Sequence, residues 1–194
     1  MSDVIGVLAL QGGFAQHIAM LGSIGVKAIE VRKPVDLDLC QGLIIPGGES
    51  TVIMKQLHFI KLMEPILEFA KTKPIFGTCA GLILMSNKIL ESPMQPMGLL
   101  DIEVERNAYG RQIESFTVDI DSTEKLIVGL RAVFIRAPRI KHVGPNVSVL
   151  ASHNGEAVVV KQGHHLGATF HPELTLDSSL HRYFRSLVEL TRID

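Results

Sequence analysis

Tryptophan is absent from the 194 residues, and aromatic residues of all kinds make up 5%. So few rings argue against a stacking surface for single-stranded nucleic acid. Charge of one sign is missing as well: 19 basic and 20 acidic residues leave a formal net charge of −1, with no charged tail. Neither nucleic acid nor an anionic membrane is therefore expected as a partner. No apolar run approaches membrane length; Ala80 to Met85 is among the longest. The opening Met1-Ser2-Asp3 lacks a basic stretch and is not expected to be a secretory leader. Cysteine is scarce. Cys40 and Cys79 are too few for a disulfide framework and show no C-x-x-C spacing for zinc, so a reducing cytoplasm is the expected compartment. Five histidines fall between His142 and His171, including His164-His165. Adjacent residues on a strand point to opposite faces, so no metal site is expected there.

What is present describes a folded enzyme-sized domain. Hydrophobic residues make up 46% and charged residues 20%, and mean hydropathy is +0.28, which excludes a disordered chain. The length fits one domain over residues 1–194, with a sizeable core.

The first half alternates strand and helix signals. Val4 to Leu10 reads as a buried strand, broken by Gln11-Gly12-Gly13. Phe14, Ile18 and Leu21 form a helical stripe ending near Gly22 or Gly25. Val26 to Val31 and Leu43 to Ile45 are further strands, the latter stopped by Pro46-Gly47-Gly48. A helix follows through Leu57, with Ser50 or Thr51 as the expected cap, and another covers about Lys61 to Lys71. Pro74 to Thr78 reads as a strand and Ala80 to Leu90 as a helix. Such repeats need parallel pairing and right-handed crossovers. The second half reads as short strands: Leu100–Arg106, Glu114–Ile120, Val133–Ile135, Val147–Ser152, Ala157–Lys161 and His165–Phe170. Asn154-Gly155 predicts a type I′ hairpin, and a helical stripe runs from Leu176 to Leu190. The expected fold is three-layer α/β: a mostly parallel sheet flanked by helices, with an antiparallel extension.

Three segments carry candidate chemistry. Gly77-Thr78-Cys79-Ala80-Gly81 is G-x-C-x-G at a strand-to-helix junction, the cysteine form of a nucleophile elbow. The glycines make room for a tight turn, and the helix N-terminus favours a thiolate. Cys40 has no such setting and reads as core. His171-Pro172-Glu173 supplies a base and its orienting carboxylate. Proline keeps His171 extended, so residues i and i+2 point the same way. Pro46-Gly47-Gly48 offers backbone N–H groups for an oxyanion. No phosphate-binding glycine motif occurs.

Together with Leu8-Ala9-Leu10-Gln11-Gly12, Glu49-Ser50-Thr51 and Phe134 to Pro138, these segments resemble the class I glutamine amidotransferases. Within that family they are most similar to the glutaminase subunits of pyridoxal 5′-phosphate synthases. The resemblance covers essentially the whole chain, with no departure at a motif position. It implies that Cys79 attacks the side-chain amide of L-glutamine, giving a glutamyl thioester and ammonia. His171 would relay protons and Glu173 would orient it. Gly47, Gly48, Glu49, Arg106, Ile135 and Arg136 would bind substrate. A guanidinium is physically suited to the glutamine carboxylate. Ammonia would pass to a separate barrel-shaped synthase subunit, since the length leaves no room for a synthase domain. No cofactor is implied. Docking of the partner is expected to order the Gln11 loop and set the Gly47–Gly48 peptide as an oxyanion donor. Two other readings are a cysteine peptidase or γ-glutamyl hydrolase on the same fold, and a regulatory subunit without activity.

Overall fold

The computed structural model describes residues 3–106, 116–119, 121, 122, 127 and 130–192; 116–119 and 121 are described in backbone only. The first half builds β1 (Val4–Leu8), α1 (Phe14–Ser23), β2 (Lys27–Val31), α2 (Pro34–Leu37), β3 (Gly42–Ile45), α3 (Ser50–Phe59), α4 (Met63–Ala70), β4 (Ile75–Thr78) and α5 (Ala80–Met85). The second half adds β5 (Ser86–Ile89), β6 (Leu100–Glu105), β7 (Phe116–Asp119), β8 (Asp121–Ser122), β9 (Arg131–Phe134), β10 (Arg139–Val143), β11 (Ser148–His153), β12 (Glu156–Gln162), β13 (His165–Ala168) and α6 (Ser179–Leu190).

The main sheet has eight strands in the order β2-β1-β3-β4-β13-β12-β11-β8. Its first five strands pair in parallel, and β13–β12–β11–β8 pair antiparallel. The expected parallel sheet with an antiparallel extension is what forms. β5, β6 and β10 make a separate three-stranded sheet, and β7 pairs with β9.

Alternation along the buried strands sends side chains to two cores. Leu43 and Ile45 of β3 join Leu57, Ile66 and Leu82 from α3, α4 and α5 on one face. Ile44, Ile5, Val7 and Phe76 face Leu21 of α1 and Phe184, Leu187 and Val188 of α6 on the other. Each such side chain contributes about 1.5–3 kcal/mol by leaving water. This two-sided burial requires the continuous apolar runs seen in the sequence.

Several local expectations are corrected. The helix expected over Ala80–Leu90 ends at Met85, because the Ser86 hydroxyl donates to Ile83 O (2.8 Å) and Ser86 turns extended to begin β5. α3 is capped by Glu49, whose carboxylate accepts from Thr51 N, rather than by Ser50 or Thr51. The last helix starts at Ser179; Leu176 lies outside it, fully exposed. α2, β5 and β10 carry patterns too short or too polar to read. The Asn154-Gly155 turn has φ of 51° and 79°, the positive pair a type I′ hairpin needs. Of the strand expected at Glu114–Ile120, residues 116–119 form β7 against β9, and the rest lies outside the described residues. His164 and His165 do not diverge: His164 sits in the turn before β13, and the two rings stand 4.3 Å apart.

Candidate active site

The five parallel strands of the main sheet end on one edge, and the loops after β1, β3, β4 and β13 converge there. Open α/β sheets place sites at this edge. After β4 the chain turns sharply at Cys79, whose φ of 48° and ψ of −103° are costly for a residue with a side chain. Gly81 permits the turn, since a Cβ there would run into the Ile45 carbonyl of β3. The Cys79 N–H donates to Ala168 O of β13 (2.9 Å), tying the elbow to the strand that leads to His171. Its sulfur lies 4.0 Å from Ile135 O.

His171 follows β13 with φ −107° and ψ 85°, outside the helical region, as the following proline demands. Its N–H donates to Val133 O of β9 (2.9 Å). Glu173 belongs to a 3-10 turn, Pro172–Leu174, so the His–Glu contact forms across a turn rather than along an extended run. Nδ1 of His171 donates to Glu173 Oε1 at 2.8 Å, and Glu173 is buried. The other side of the ring faces Cys79. Burial alone would depress this imidazole, but hydrogen bonds to Cys79 and Glu173 and charge attraction from the same two groups push it up to about 10. His171 is therefore held as an imidazolium at neutral pH, between a sulfur and a carboxylate.

Gly47 fits against this pair only because it has no side chain; a Cβ would strike the His171 ring and lie 3.3 Å from Cys79 Cβ. The Gly47 carbonyl accepts from Gly13 N (3.2 Å), and Gln11 Oε1 accepts from Glu49 N (2.8 Å). The two loops thus touch directly. A cleft of about 380 Å³ opens over Cys79 and His171 and is lined by Gln11, Gly48, Glu49, Arg106, Ile135 and Arg136. Arg106 Nη2 donates to Glu49 Oε1 at 3.2 Å. Burial raises the Glu49 carboxyl, but Thr51, Arg106 and Arg136 outweigh it and hold it below the usual carboxylate range. Arg136 has φ 46°, a second strained residue beside the elbow.

The structure brings every sequence-predicted residue to one place. Eight of them line the cleft; Gly47 and Glu173 stand just behind His171. Ser50 and Ile83 also line it and were missed, because neither carries a motif of its own. His17, which contacts Glu173 from α1, was missed too; it lay unremarked beside the apolar stripe of that helix. Cys40 is buried at the opposite edge of the sheet, with its thiol pushed up to about 11, chiefly by burial. Among the described residues no three His, Cys, Asp or Glu side chains converge to hold a metal ion, and no helix is long and apolar enough to cross a membrane.

An imidazolium between a thiol and a buried carboxylate, under a cleft with two arginines, is suited to acyl transfer from a zwitterionic substrate. Comparison with known proteins points the same way. The model of the SNO glutamine amidotransferase family matches residues 7–190. Pyridoxal 5′-phosphate synthase subunit PdxT of Desulforamulus reducens is 52% identical over 187 residues, covering 96% of this chain and all of that protein. The subunit of the same name from Brevibacillus brevis is 51% identical, covering 95% of this chain and 97% of that protein. A crystal structure described as a glutamine amidotransferase superposes with a TM-score of 0.91 at 43% identity, over 96% of this chain and all of that one. With strand order, elbow and His–Glu turn in place and relatives matched along nearly their full length, the chain belongs to the SNO glutamine amidotransferase family.

Proposed function

We propose that this chain is the glutaminase of a pyridoxal 5′-phosphate synthase: it hydrolyses L-glutamine to L-glutamate and delivers the ammonia to a separate synthase subunit. The observation that carries the reading is the line Cys79–His171–Glu173 beneath the cleft. The Cys79 thiolate attacks the side-chain amide carbon, and electrons move onto the oxygen. His171 gives its proton to the leaving nitrogen, the C–N bond breaks, and ammonia departs from a thioester. A water then attacks the thioester while His171 takes its proton, and collapse releases glutamate and restores the sulfur anion. Glu173 holds the imidazole in register and stabilises it when charged.

Arg106 and Arg136 meet the α-carboxylate of glutamine, and Glu49 meets its ammonium, which the carboxylate's ionised state suits. Ile135 contributes its carbonyl and apolar wall to the pocket. We read residues 1–194 as one glutaminase domain working in a reducing cytoplasm, where the free thiols Cys40 and Cys79 stay reduced.

Activity depends on the partner in this reading. Gly47 and Gly48 supply oxyanion donors, and their shared peptide is tied through its carbonyl to Gly13. Docking that moves the Gln11–Gly13 loop would release this carbonyl and let the peptide turn an N–H toward the oxyanion. One such donor is worth roughly 10²–10³-fold in turnover. The test is ammonia release from glutamine with and without the synthase subunit and, as a separate experiment, covalent trapping of Cys79 by a glutamine-analogue electrophile. Stimulation of that order, reduced by Gln11→Ala, supports the reading. Hydrolysis of γ-glutamyl peptides but not glutamine would replace it, and equal turnover with and without the partner would end the switch.

A further inference from the structure

His17 is the one fully buried charged-type side chain of α1, and a buried imidazole is costly unless its nitrogens are matched. Its Nδ1 lies 2.9 Å from His181 Nε2 of α6. Its Nε2 lies 3.2 Å from Thr78 Oγ1, the residue before Cys79, and 3.4 Å from Glu173 Oε2. Glu173 uses Oε1 for His171, whereas Oε2 is buried, is met by no donor in hydrogen-bond geometry, and has His17 Nε2 beside it as a charge-pair neighbour. His181 Nδ1 is likewise buried without a hydrogen-bond partner.

Two tautomer patterns are available to this pair. In one, His181 carries its proton on Nδ1, which would leave a buried N–H with no acceptor. His17 would then carry its proton on Nδ1 and aim a lone pair at the Glu173 carboxylate. In the other, His181 Nε2–H donates to His17 Nδ1, and His17 Nε2–H donates to Thr78 Oγ1 and turns its positive end to Glu173 Oε2 at 3.4 Å. Only a bare lone pair on His181 is then unmatched. Buried N–H groups are rarely left orphaned, so the second pattern is the stable one.

We propose that His17, fixed as its Nε2–H tautomer by His181, is a positioning residue that holds the second oxygen of Glu173 and so aims the carboxylate at His171. The proposal deepens the glutaminase reading and rests on it. Both rings are neutral at pH 7, as the pattern requires. Burial, then the charges of His181 and His171, hold His17 well below its ordinary value, and burial takes His181 to about 4 against the pull of Asp177. The titratable groups facing the pair are Glu173 and His171 from the 3-10 turn, Cys79 behind His171, and Asp177 ahead of α6. Gly13, at the start of α1, closes the other side: a Cβ there would lie 2.8 Å from Glu173 Oε1.

The direct test is nitrogen NMR on the wild-type protein, which reads His17 as Nε2–H with Nδ1 bare; an Nδ1–H form overturns the proposal without any substitution. Kinetics in the presence of the synthase subunit give the second test. His17→Leu lowers kcat about 10- to 100-fold, the loss expected when a buried carboxylate oxygen is left without its one polar neighbour. KM for glutamine stays within about twofold, because the substrate pocket is untouched. The alkaline limb of kcat moves to lower pH, since a carboxylate no longer held in line supports the His171 imidazolium less well. His17→Gln, whose amide N–H can reach the same oxygen, recovers most of the rate. A folded His17→Leu with wild-type kcat and pH profile, or a His17→Gln as impaired as the leucine variant, overturns the proposal. Should His17→Leu fail to fold by circular dichroism, His181→Leu carries the test: a smaller kcat loss with the same shift is expected, and wild-type behaviour overturns it. A wild-type complex that releases no ammonia would defeat the glutaminase reading instead, while the NMR result would still decide the tautomer.

Discussion

Cys40 and Cys79 sit at opposite ends of neighbouring parallel strands and are chemical opposites. Cys40 precedes β3 and is fully buried; its thiol donates to the Asp36 carbonyl (3.3 Å) and is pushed up to about 11, chiefly by burial, against the pull of Lys73. Cys79 follows β4, where a strained turn, the start of α5 and an imidazolium meet at the sulfur. Both are buried. The difference teaches that burial alone makes a thiol inert, and that reactivity comes from the strand ends, where loops can bring charged partners to a buried atom.

The harshest test of this contrast is exchange of the sulfurs. Cys79→Ser is expected to lower glutamine hydrolysis by roughly 10⁴-fold or more while leaving the fold and partner binding intact, as loss of a nucleophile does. Cys40→Ser is expected to leave turnover unchanged and to cost about 1 kcal/mol of stability in denaturant titration. Equal losses of activity would erase the distinction.

Next in size are the groups that Cys79 has and Cys40 lacks. His171→Asn should cost nearly as much as Cys79→Ser, because members of one catalytic unit are not additive. Glu173→Gln should cost less, about 10⁴-fold at most, since an amide fills the space but supports the imidazolium poorly. Steady-state kcat for the two variants decides; a more damaging Glu173→Gln would reverse the assigned roles.

The mildest test uses the native protein. At pH 7 iodoacetamide should label Cys79 and spare Cys40, read by peptide mass spectrometry. A thiol raised to about 11 stays protonated across the neutral range, and its deprotonated fraction grows only as pH climbs toward that value. Label on Cys40 without global unfolding would contradict its buried environment.

The same contrast divides what was legible in the sequence from what was not. β1, β3 and β4 announce themselves as unbroken apolar runs, because a strand buried on both faces has no polar side to show. The elbow and the His-Pro-Glu turn are legible because a tight turn admits few residue types and a proline restricts its neighbour. β5 and β10 are different: Lys88 and Glu103, or Lys141 and Glu105, form ion pairs across the small sheet, so its strands look like solvated chain. The helix through Ala80 ran on to Leu90 in the sequence reading because Ile89 keeps the apolar pattern; the Ser86 hydroxyl that ends it acts at short range and leaves no periodic signal. His17 was hidden for a third reason. Its partners, Thr78, Glu173 and His181, come from β4, the 3-10 turn and α6, and only the tertiary fold unites them.

β13 lies in the middle of the sheet, between β4 and β12, although it is the last strand to be synthesised. Cys79 and His171, the proposed nucleophile and base, are therefore about ninety residues apart in the chain, and their pairing closes a long loop. Such distant contacts form late in folding, after the local strand–helix units. Until β13 docks, β4 has an unpaired edge and the Cys79 N–H lacks the Ala168 carbonyl. A chain in which β13 had not yet docked would carry the thiol without His171 at its side. Its hazard is the open central strand edge, a template for pairing with other chains.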